Sequence, residues 1–384
     1  MDFFDLNLRD EPFVDYQDYT NHLFACVNLP LSAYIQRLMP LFAEDSGGFK
    51  NVLYPDIEVA RDLCAQQLID FHPAVPALND SSNDEKAEEV SDELEALFAD
   101  IMEVEPEKEP TLGPKELLAY INARAALAEV SLPLYKLCRN FAPYTCFCFA
   151  CGILFSTQTR CASIFQVVNQ NGSLSAPSIE SAARVFFGEQ FTIIQTYGQM
   201  SLALVELQPV LSLQVNGAMP FSTLISPDKR IIDFLFGTHP MQIDENYIRF
   251  FSRLPETEDP FFANGQILND LRISFHDGVR LFSLFEGKGS GREFTIQHFC
   301  QEQNISCIPI NCSKLFVYDF RFVEQVLWAA ARECLLTGAC ICMDSLTYKE
   351  PEKNKFFCCM DLAFGKFLRR DLTVFAVSKE KLPM

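Results

Sequence analysis

Positive charge and long apolar runs are both scarce in this sequence, and each shortage argues against a class of protein. The 384 residues carry 31 Lys and Arg against 51 Asp and Glu, which gives a net charge of −20. Because such a surface repels phosphate backbones, we expect no binding to nucleic acid. The longest apolar stretch, residues 141–155, contains Pro143 and is shorter than the roughly 20 residues that a spanning helix needs. We therefore expect no membrane segment.

Secreted and disulfide-stabilised proteins form a second class that the sequence does not favour. Residues 1–5 have neither the basic segment nor the apolar segment of a signal peptide. The 15 cysteines are an odd number and lie scattered through apolar strings. Examples are Cys340, Cys342, Cys358 and Cys359. This pattern is typical of reduced thiols that serve as small core residues, so we expect a cytoplasmic protein.

The sequence also predicts no zinc site. Cys146, Cys148 and Cys151 supply three of the four ligands that structural zinc requires, and no second pair of cysteines or histidines follows at a useful spacing. Their neighbours are large apolar residues, which favours packing in a core. His276 is expected in a solvated loop rather than beside a nucleotide. None of the five histidines shows ligand spacing: His22, His72, His239, His276 and His298.

The length predicts two or three domains, and an acidic segment separates two of them. Residues 1–76 are expected to be a mostly helical region, since apolar residues recur at helical spacing. Residues 77–112 form an acidic linker, in which Asp80–Glu109 carries a marked excess of Asp and Glu. The linker also contains a predicted short amphipathic helix. That helix either packs back on its own protein or binds a partner from a disordered linker. Its apolar face consists of Leu94, Leu97, Phe98, Ile101 and Met102.

Residues 113–240 resemble a winged-helix domain in their order of elements. A cluster of helical runs precedes two short runs, Phe191–Thr196 and Leu202–Leu207, whose alternation predicts a small β-hairpin. A winged helix that reads DNA needs basic residues on its recognition helix. Here Ser178–Phe187 offers only Arg184. Contact with protein is therefore favoured over contact with DNA.

Strand-like and helix-like runs alternate from residue 260 to residue 384. This order predicts a parallel sheet with helices on both faces, as in the P-loop NTPases. The predicted fold class is therefore α/β at the C-terminus, preceded by the winged-helix-like domain and the helical N-terminal region. The predicted strands are Val279–Phe285, Ser306–Asn311, Ala339–Met343 and Leu372–Val377. The predicted helices are Glu293–Gln303, Val317–Leu336 and Asn354–Leu368.

A glycine-rich segment, Glu286–Glu293, follows the first predicted strand and precedes a helix. This is the context that a phosphate-binding loop requires, because glycines let backbone amides approach a phosphate at a helix N-terminus. Three positions depart from the motif: Glu286 replaces its first glycine, Arg292 its lysine and Glu293 its hydroxyl residue. The predicted nucleotide-binding residues of the segment are Gly287, Gly289, Ser290, Gly291 and Arg292.

Asp344 is the candidate catalytic residue. It ends a buried apolar strand, the position from which an aspartate of P-loop NTPases supports Mg²⁺. The next residue is Ser345, where many of these ATPases carry a glutamate that polarises the attacking water. Glu293 adds a like charge at the mouth of the phosphate site, which costs about 4 kcal/mol at roughly 4 Å and an effective dielectric of about 20. We therefore expect impaired ATP hydrolysis. Whether the segment still binds a nucleotide is left undecided by the sequence.

The chain resembles the bacterial AAA-family ATPases that carry an N-terminal winged-helix domain. The likeness rests on Leu132–Ala182 and Leu211–Gly237 in the helical part, and on Ile310–Leu315 and Ala339–Asp344 in the α/β part. It implies ATP or ADP with Mg²⁺ as cofactors and partner proteins that assemble into rings. It also places Ser378 at the position of the polar sensor residue that ends the fourth strand.

Three functions stay open on the sequence alone. The favoured one is a degenerate nucleotide-binding AAA module that acts as a scaffold or regulatory subunit in a protein-remodelling assembly. Its partner would be another AAA subunit or a second copy, since the sequence ends at Met384, before the family's helical lid, and an apolar sheet edge is expected. The alternative is a slow but active ATPase that uses Arg292 and Asp344. A winged-helix transcription regulator is disfavoured by the net charge.

Overall fold

The computed structural model is a mixed α/β protein in which helices predominate over one small parallel sheet. It divides into two compact units: residues 1–132, 143–201 and 216–224 form the first, and residues 133–142, 202–215 and 225–384 the second. The domain boundaries expected from the sequence stay predictions. The structure describes residues 12–44, 60–61, 113–158, 161–169, 171, 173–211, 220–238, 247, 264–285, 291–346, 358, 361, 364 and 371–378.

The described residues contain twelve α-helices and four strands. The helices are α1 (Tyr16–Glu44), α2 (Pro114–Leu127), α3 (Pro133–Cys138), α4 (Pro143–Thr157), α5 (Cys161–Val168), α6 (Ile179–Phe187), α7 (Ile193–Glu206), α8 (Lys229–Leu235), α9 (Gly265–His276), α10 (Arg292–Glu302), α11 (Cys312–Leu315) and α12 (Phe320–Thr337). The strands are β1 (Leu281–Phe285), β2 (Cys307–Asn311), β3 (Cys340–Leu346) and β4 (Val374–Ser378).

The longest apolar run of the sequence forms the central helix of the first unit. Every residue of α4 from Tyr144 to Leu154 is buried, and α1, α2 and α6 pack around it. A helix that is apolar on all sides is a core helix or a membrane span. Among the helices that the structure describes, none is both long and apolar enough to cross a lipid bilayer.

The predicted β-hairpin of the winged-helix-like domain is wrong, because most residues of its two runs belong to the single helix α7. Thr192 Oγ1 accepts a hydrogen bond from the backbone N–H of Gln195 at 3.2 Å, which caps the helix start. Thr196, Met200 and Ala203 are buried at helical spacing. The strand-like alternation arose from apolar residues on both faces of one helix. A winged-helix domain is therefore not confirmed.

The sheet of the second unit has the strand order β1-β4-β3-β2, and all its neighbours are parallel. The four predicted strands and the two predicted helices around α10 and α12 are confirmed, with ends displaced by at most three residues. The predicted helix Asn354–Leu368 lies almost wholly outside the described residues. A mixed α/β fold with a parallel sheet is thus established.

Large apolar side chains fill the space between the sheet and two helices. Phe299 of α10 meets the rings of Phe275, at 5.5 Å between centroids, and Phe375, at 5.6 Å. Phe282 stacks on Phe375 at 5.1 Å. Alternate residues of β3 point to the other face of the sheet, where Ile341 is buried as well. The cores on the two faces explain why these strands read as continuous apolar runs.

Candidate functional site

Polar residues meet at the carboxyl end of the sheet. Ser378, the last residue of β4, pairs with Phe285 of β1 and with Leu346 of β3. Asp344 of β3 pairs with Asn311 of β2. Because the strands are parallel, their carboxyl ends share one edge, and ligands of open α/β sheets bind at that edge. We therefore take this edge as the candidate site.

Helix α10 begins at this edge, directly after the glycine-rich segment. Gly291 precedes it in the left-handed conformation, with φ of 75°, which glycine adopts without steric penalty. The guanidinium of Arg292 donates a hydrogen bond from Nη1 to the backbone oxygen of Ser378. The structure therefore brings together Arg292 and Ser378, two of the residues for which the sequence predicts nucleotide binding; that role stays a prediction. Three further predicted binding residues lie outside the described part of the chain: Gly287, Gly289 and Ser290.

Glu293 brings a second carboxyl group to the same edge as Asp344. Partial burial raises the pKa of Glu293, the charge of Asp344 raises it further, and the charge of Arg292 lowers it by a smaller amount. The carboxylates of Glu293 and Asp344 therefore repel each other across the start of α10. An anion placed there would meet two negative charges.

The described residues at this edge do not fit the nucleotide and Mg²⁺ that the resemblance implies. Glu293 stands where a hydroxyl would bind the metal ion, and the cation of Arg292 is bound to the Ser378 carbonyl rather than presented to a phosphate. The side chain of Ser345 lies outside the described residues. Asp344 is half-buried, but it lies inside β3 rather than at the strand end that the sequence predicted, because β3 continues to Leu346.

Replacing Glu293 with Gln should stabilise the protein at neutral pH. A carboxyl whose pKa is raised by folding destabilises the folded state once it ionises. This penalty is absent below the ordinary glutamate pKa of about 4.3 and grows until the pH exceeds the raised value. Melting temperatures of the wild type and Glu293→Gln should therefore agree in acid and separate as the pH rises.

Asp344→Asn is the control for that comparison, because it removes one of the two causes that raise the pKa of Glu293, the charge of Asp344. In the Asp344→Asn background, the stabilisation by Glu293→Gln should shrink but persist, since burial still raises the pKa of Glu293. A difference in melting temperature that is equal at every pH would contradict the interaction.

Three cysteines converge at the opposite, amino end of the sheet. Cys300 lies in the last turn of α10, whereas Cys307 and Cys340 are the first residues of β2 and β3. Their Sγ atoms all lie within 4.8 Å of one another, and those of Cys300 and Cys340 are 3.5 Å apart. Cys300 and Cys340 are buried, and Cys307 is half-buried.

This cluster corrects the expected cofactors, which were ATP or ADP with Mg²⁺ and no zinc. Among the described residues, the group with the geometry to hold a metal ion consists of thiols, and thiolates select zinc and other soft ions over Mg²⁺. No motif in the sequence marks this cluster, because Cys300, Cys307 and Cys340 show no ligand spacing. The pairing of β2 with β3 places Cys307 beside Cys340, and the turn after α10 brings Cys300 to them.

The three thiols share hydrogen bonds that distribute their charge unevenly. Bonds from the thiols of Cys307 and Cys340 lower the pKa of Cys300 to about 5, although burial opposes the shift. The same bonds to Cys300 raise the pKa of Cys307 and the pKa of Cys340. The three thiols are thus coupled to one another through their hydrogen bonds.

The cysteines of α4 differ from this cluster. Cys146, Cys148 and Cys151 are buried in the core of the first unit, as predicted. Burial raises the pKa of Cys148 to about 12 and that of Cys151 well above its ordinary value. Thiols that resist ionisation in this way behave as small core residues.

Comparison of the chain with protein-family models, with curated proteins and with solved structures gave no match. The resemblance to AAA-family ATPases therefore stays a prediction.

Proposed function

We propose that this chain is a degenerate AAA-type module that acts as a scaffold or regulatory subunit, with little or no ATP hydrolysis of its own. The observation that carries the proposal is the contact of Arg292 with the Ser378 carbonyl, beside the interacting charges of Glu293 and Asp344. Residues at the decisive positions of a phosphate site contact one another here. The edge then serves to join α10 to β4.

Electrostatic magnitudes support a module that does not hydrolyse ATP. Two like charges about 4 Å apart at an effective dielectric of about 20 repel by about 4 kcal/mol. The dipole of a helix N-terminus stabilises a nearby anion by roughly 0.3–1 kcal/mol, and by up to about 2 kcal/mol in a partly buried site. The carboxylate of Glu293 therefore outweighs the attraction that α10 offers to a phosphate.

The topology of the sheet supports descent from a nucleotide-binding module. The connection from β1 crosses to β2 at the far edge of the sheet, and the following connections return through β3 to β4. Open α/β sheets bind ligands beside strands whose connections run in opposite directions. In this chain Gly291 begins the helix that follows β1, and Ser378 ends β4, the neighbour of β1. The glycine-rich segment and α10 follow β1, as the motif requires.

Exposed apolar surface supports protein partners. On α7, Ile194 is 90% exposed, and Tyr197, three residues further along the helix, is exposed as well. At about 100° per residue these two side chains lie on the same side of the helix. Clustered exposed apolar side chains mark interaction surfaces. In the described sheet β1 and β2 are outer strands, which offer unpaired backbone groups to a second chain.

Phosphate release from ATP separates the scaffold from the slow ATPase. Wild type, Asp344→Asn and the exposed-carboxylate control Asp270→Asn should all match a protein-free blank, because the site repels the triphosphate. Turnover that is present in the wild type and Asp270→Asn but lost in Asp344→Asn would establish the ATPase instead. Light scattering on the same samples tests the partner: an oligomer supports self-association, whereas a monodisperse monomer contradicts it.

A further inference from the structure

The turn between α10 and β2 brings two of the clustered cysteines back to each other. The backbone N–H of Ile305 donates to the carbonyl of Cys300 at 2.9 Å, which closes the helix end. Asn304 takes the left-handed conformation, with φ of 53°, and turns the chain towards the sheet. Cys307 therefore enters β2 beside the last turn of α10, where Cys300 lies.

Strand pairing supplies the third cysteine. Cys307 and Cys340 are direct partners in the parallel ladder, so their side chains point to the same face of the sheet. A hydrogen bond of 2.9 Å from the backbone N–H of Cys340 to the carbonyl of Ser306 fixes this register. Cys342, two residues further along β3, lies on the same face, and its side chain hydrogen-bonds Cys307. The backbone thus holds the cluster in place.

We propose that Cys300, Cys307 and Cys340 form a binding site for a zinc ion. Zinc bonds to thiolate at about 2.3 Å, which in a tetrahedron sets the sulfurs about 3.8 Å apart. The observed separations, 3.5 Å for one pair and within 4.8 Å for all, bracket that value. The fourth position is open to Cys342 or to water. On binding, each thiol gives its proton to solvent and its sulfur to the metal.

The location of the site favours a structural role for the ion. The ion would join the end of α10 to the starts of β2 and β3. Without it, a short turn links α10 to β2, and backbone pairing links β2 to β3. The half-buried Cys307 gives the ion a route from solvent. This inference does not rest on the proposed scaffold function, since the cysteines lie at the opposite end of the strands from Arg292 and Asp344.

Metal content of the full-length chain tests the proposal. Protein purified under reducing conditions, stripped with a chelator and dialysed against zinc should retain one equivalent at this site. Cys300→Ala and Cys340→Ala should weaken zinc binding more than about 100-fold, beyond the 10- to 100-fold loss typical of outer-shell changes. Cys307→Ser provides a milder variant at a half-buried position. Cys334→Ala, which alters a buried cysteine of α12 outside the cluster, should bind as the wild type does.

Cobalt substitution gives a second readout. Co²⁺ should produce the thiolate charge-transfer band and tetrahedral visible bands in the wild type and in Cys334→Ala, and both should vanish in Cys307→Ser. Zinc that persists in the triple variant of Cys300, Cys307 and Cys340 would overturn the proposal. So would the absence of zinc from a folded wild type, or a disulfide between Cys300 and Cys340 under the same reducing conditions.

Discussion

Glu333→Ala should destabilise the second unit by about 3–5 kcal/mol, the cost of breaking a buried ion pair from one side. The guanidinium of Arg230 donates to both carboxylate oxygens of Glu333, from Nε at 2.7 Å and from Nη2 at 2.9 Å. The two side chains are only 12% and 4% exposed. Arg230 also donates to the carbonyl of Thr238 at 2.7 Å. Removal of Glu333 takes the carboxylate away from a buried guanidinium, whose bond to the neutral Thr238 carbonyl does not replace that negative charge.

An exposed pair of the same geometry is the matched control. Arg272 and Glu302 form an equivalent two-bond fork, at 2.9 and 2.7 Å, but their side chains are 42% and 38% exposed. Exposed ion pairs contribute little, because water and salt screen them. Glu302→Ala should therefore cost a small fraction of the loss in Glu333→Ala. Urea unfolding followed by the fluorescence of Trp328, the only tryptophan of the chain, measures both in the same unit.

A double variant distinguishes lost attraction from a stranded charge. Replacing both partners with apolar residues of similar size, as in Arg230→Met with Glu333→Leu, removes the buried charge and often restores stability. The double variant should therefore be more stable than Glu333→Ala. If Glu333→Ala costs no more than Glu302→Ala, the pair is solvated in solution and the expectation is wrong.

The parallel sheet could be predicted because its signal is local. Each strand is a short apolar run, such as Ala339–Met343, buried on both faces, and the intervening helices show helical spacing. The observed β3, Cys340–Leu346, begins one residue later and ends three residues later. Ends shift because a strand continues as far as its neighbour pairs with it, and β3 has partners on both sides.

A β-hairpin was wrongly predicted in place of α7 because the local sequence signal was ambiguous. Phe191–Thr196 is too short to separate a strand from a helix by apolar spacing alone. The capping pattern Thr192-x-x-Gln195 was the available sign, since a hydroxyl residue followed by Gln three positions later starts many helices. The observed bond between Thr192 and the Gln195 amide shows that the sign was present.

The candidate site was predicted in part. That Asp344 and Ser378 share an edge follows from the rule that parallel strands end together, so the sequence sufficed for it. The bond from Arg292 to the Ser378 carbonyl did not follow, because side-chain direction depends on the packing of α10. The cysteine cluster and the ion pair Arg230–Glu333 could not be predicted from the sequence for a related reason. Each depends on residues that are distant in sequence and meet only in the folded register.

Phe299→Ala should cost about 3–5 kcal/mol, the range for removing a fully buried aromatic side chain. Phe299 is completely buried between α9, α10 and the sheet. Its edge-to-face contacts with Phe275 and Phe375 are each worth about 0.5–1.5 kcal/mol beyond burial. Phe299→Leu, which keeps most of the apolar volume, should lose less than half as much. Phe236→Ala, at an exposed phenylalanine of the same unit, should change stability by no more than about 0.5 kcal/mol.

Hydrogen exchange shows whether that loss is local or shared. Helix α10 carries Arg292 and Glu293 at its first turn and Cys300 near its last, so the packing of Phe299 orients both the edge with the carboxylates and the cysteine cluster. Because Phe299 contacts Phe375 of β4 directly, amides of α10 and β4 should lose protection together in Phe299→Ala. Loss confined to α10 would mean that the sheet forms its core without the helix. The two ends of α10 could then move independently of the strands, and neither site would be held as described.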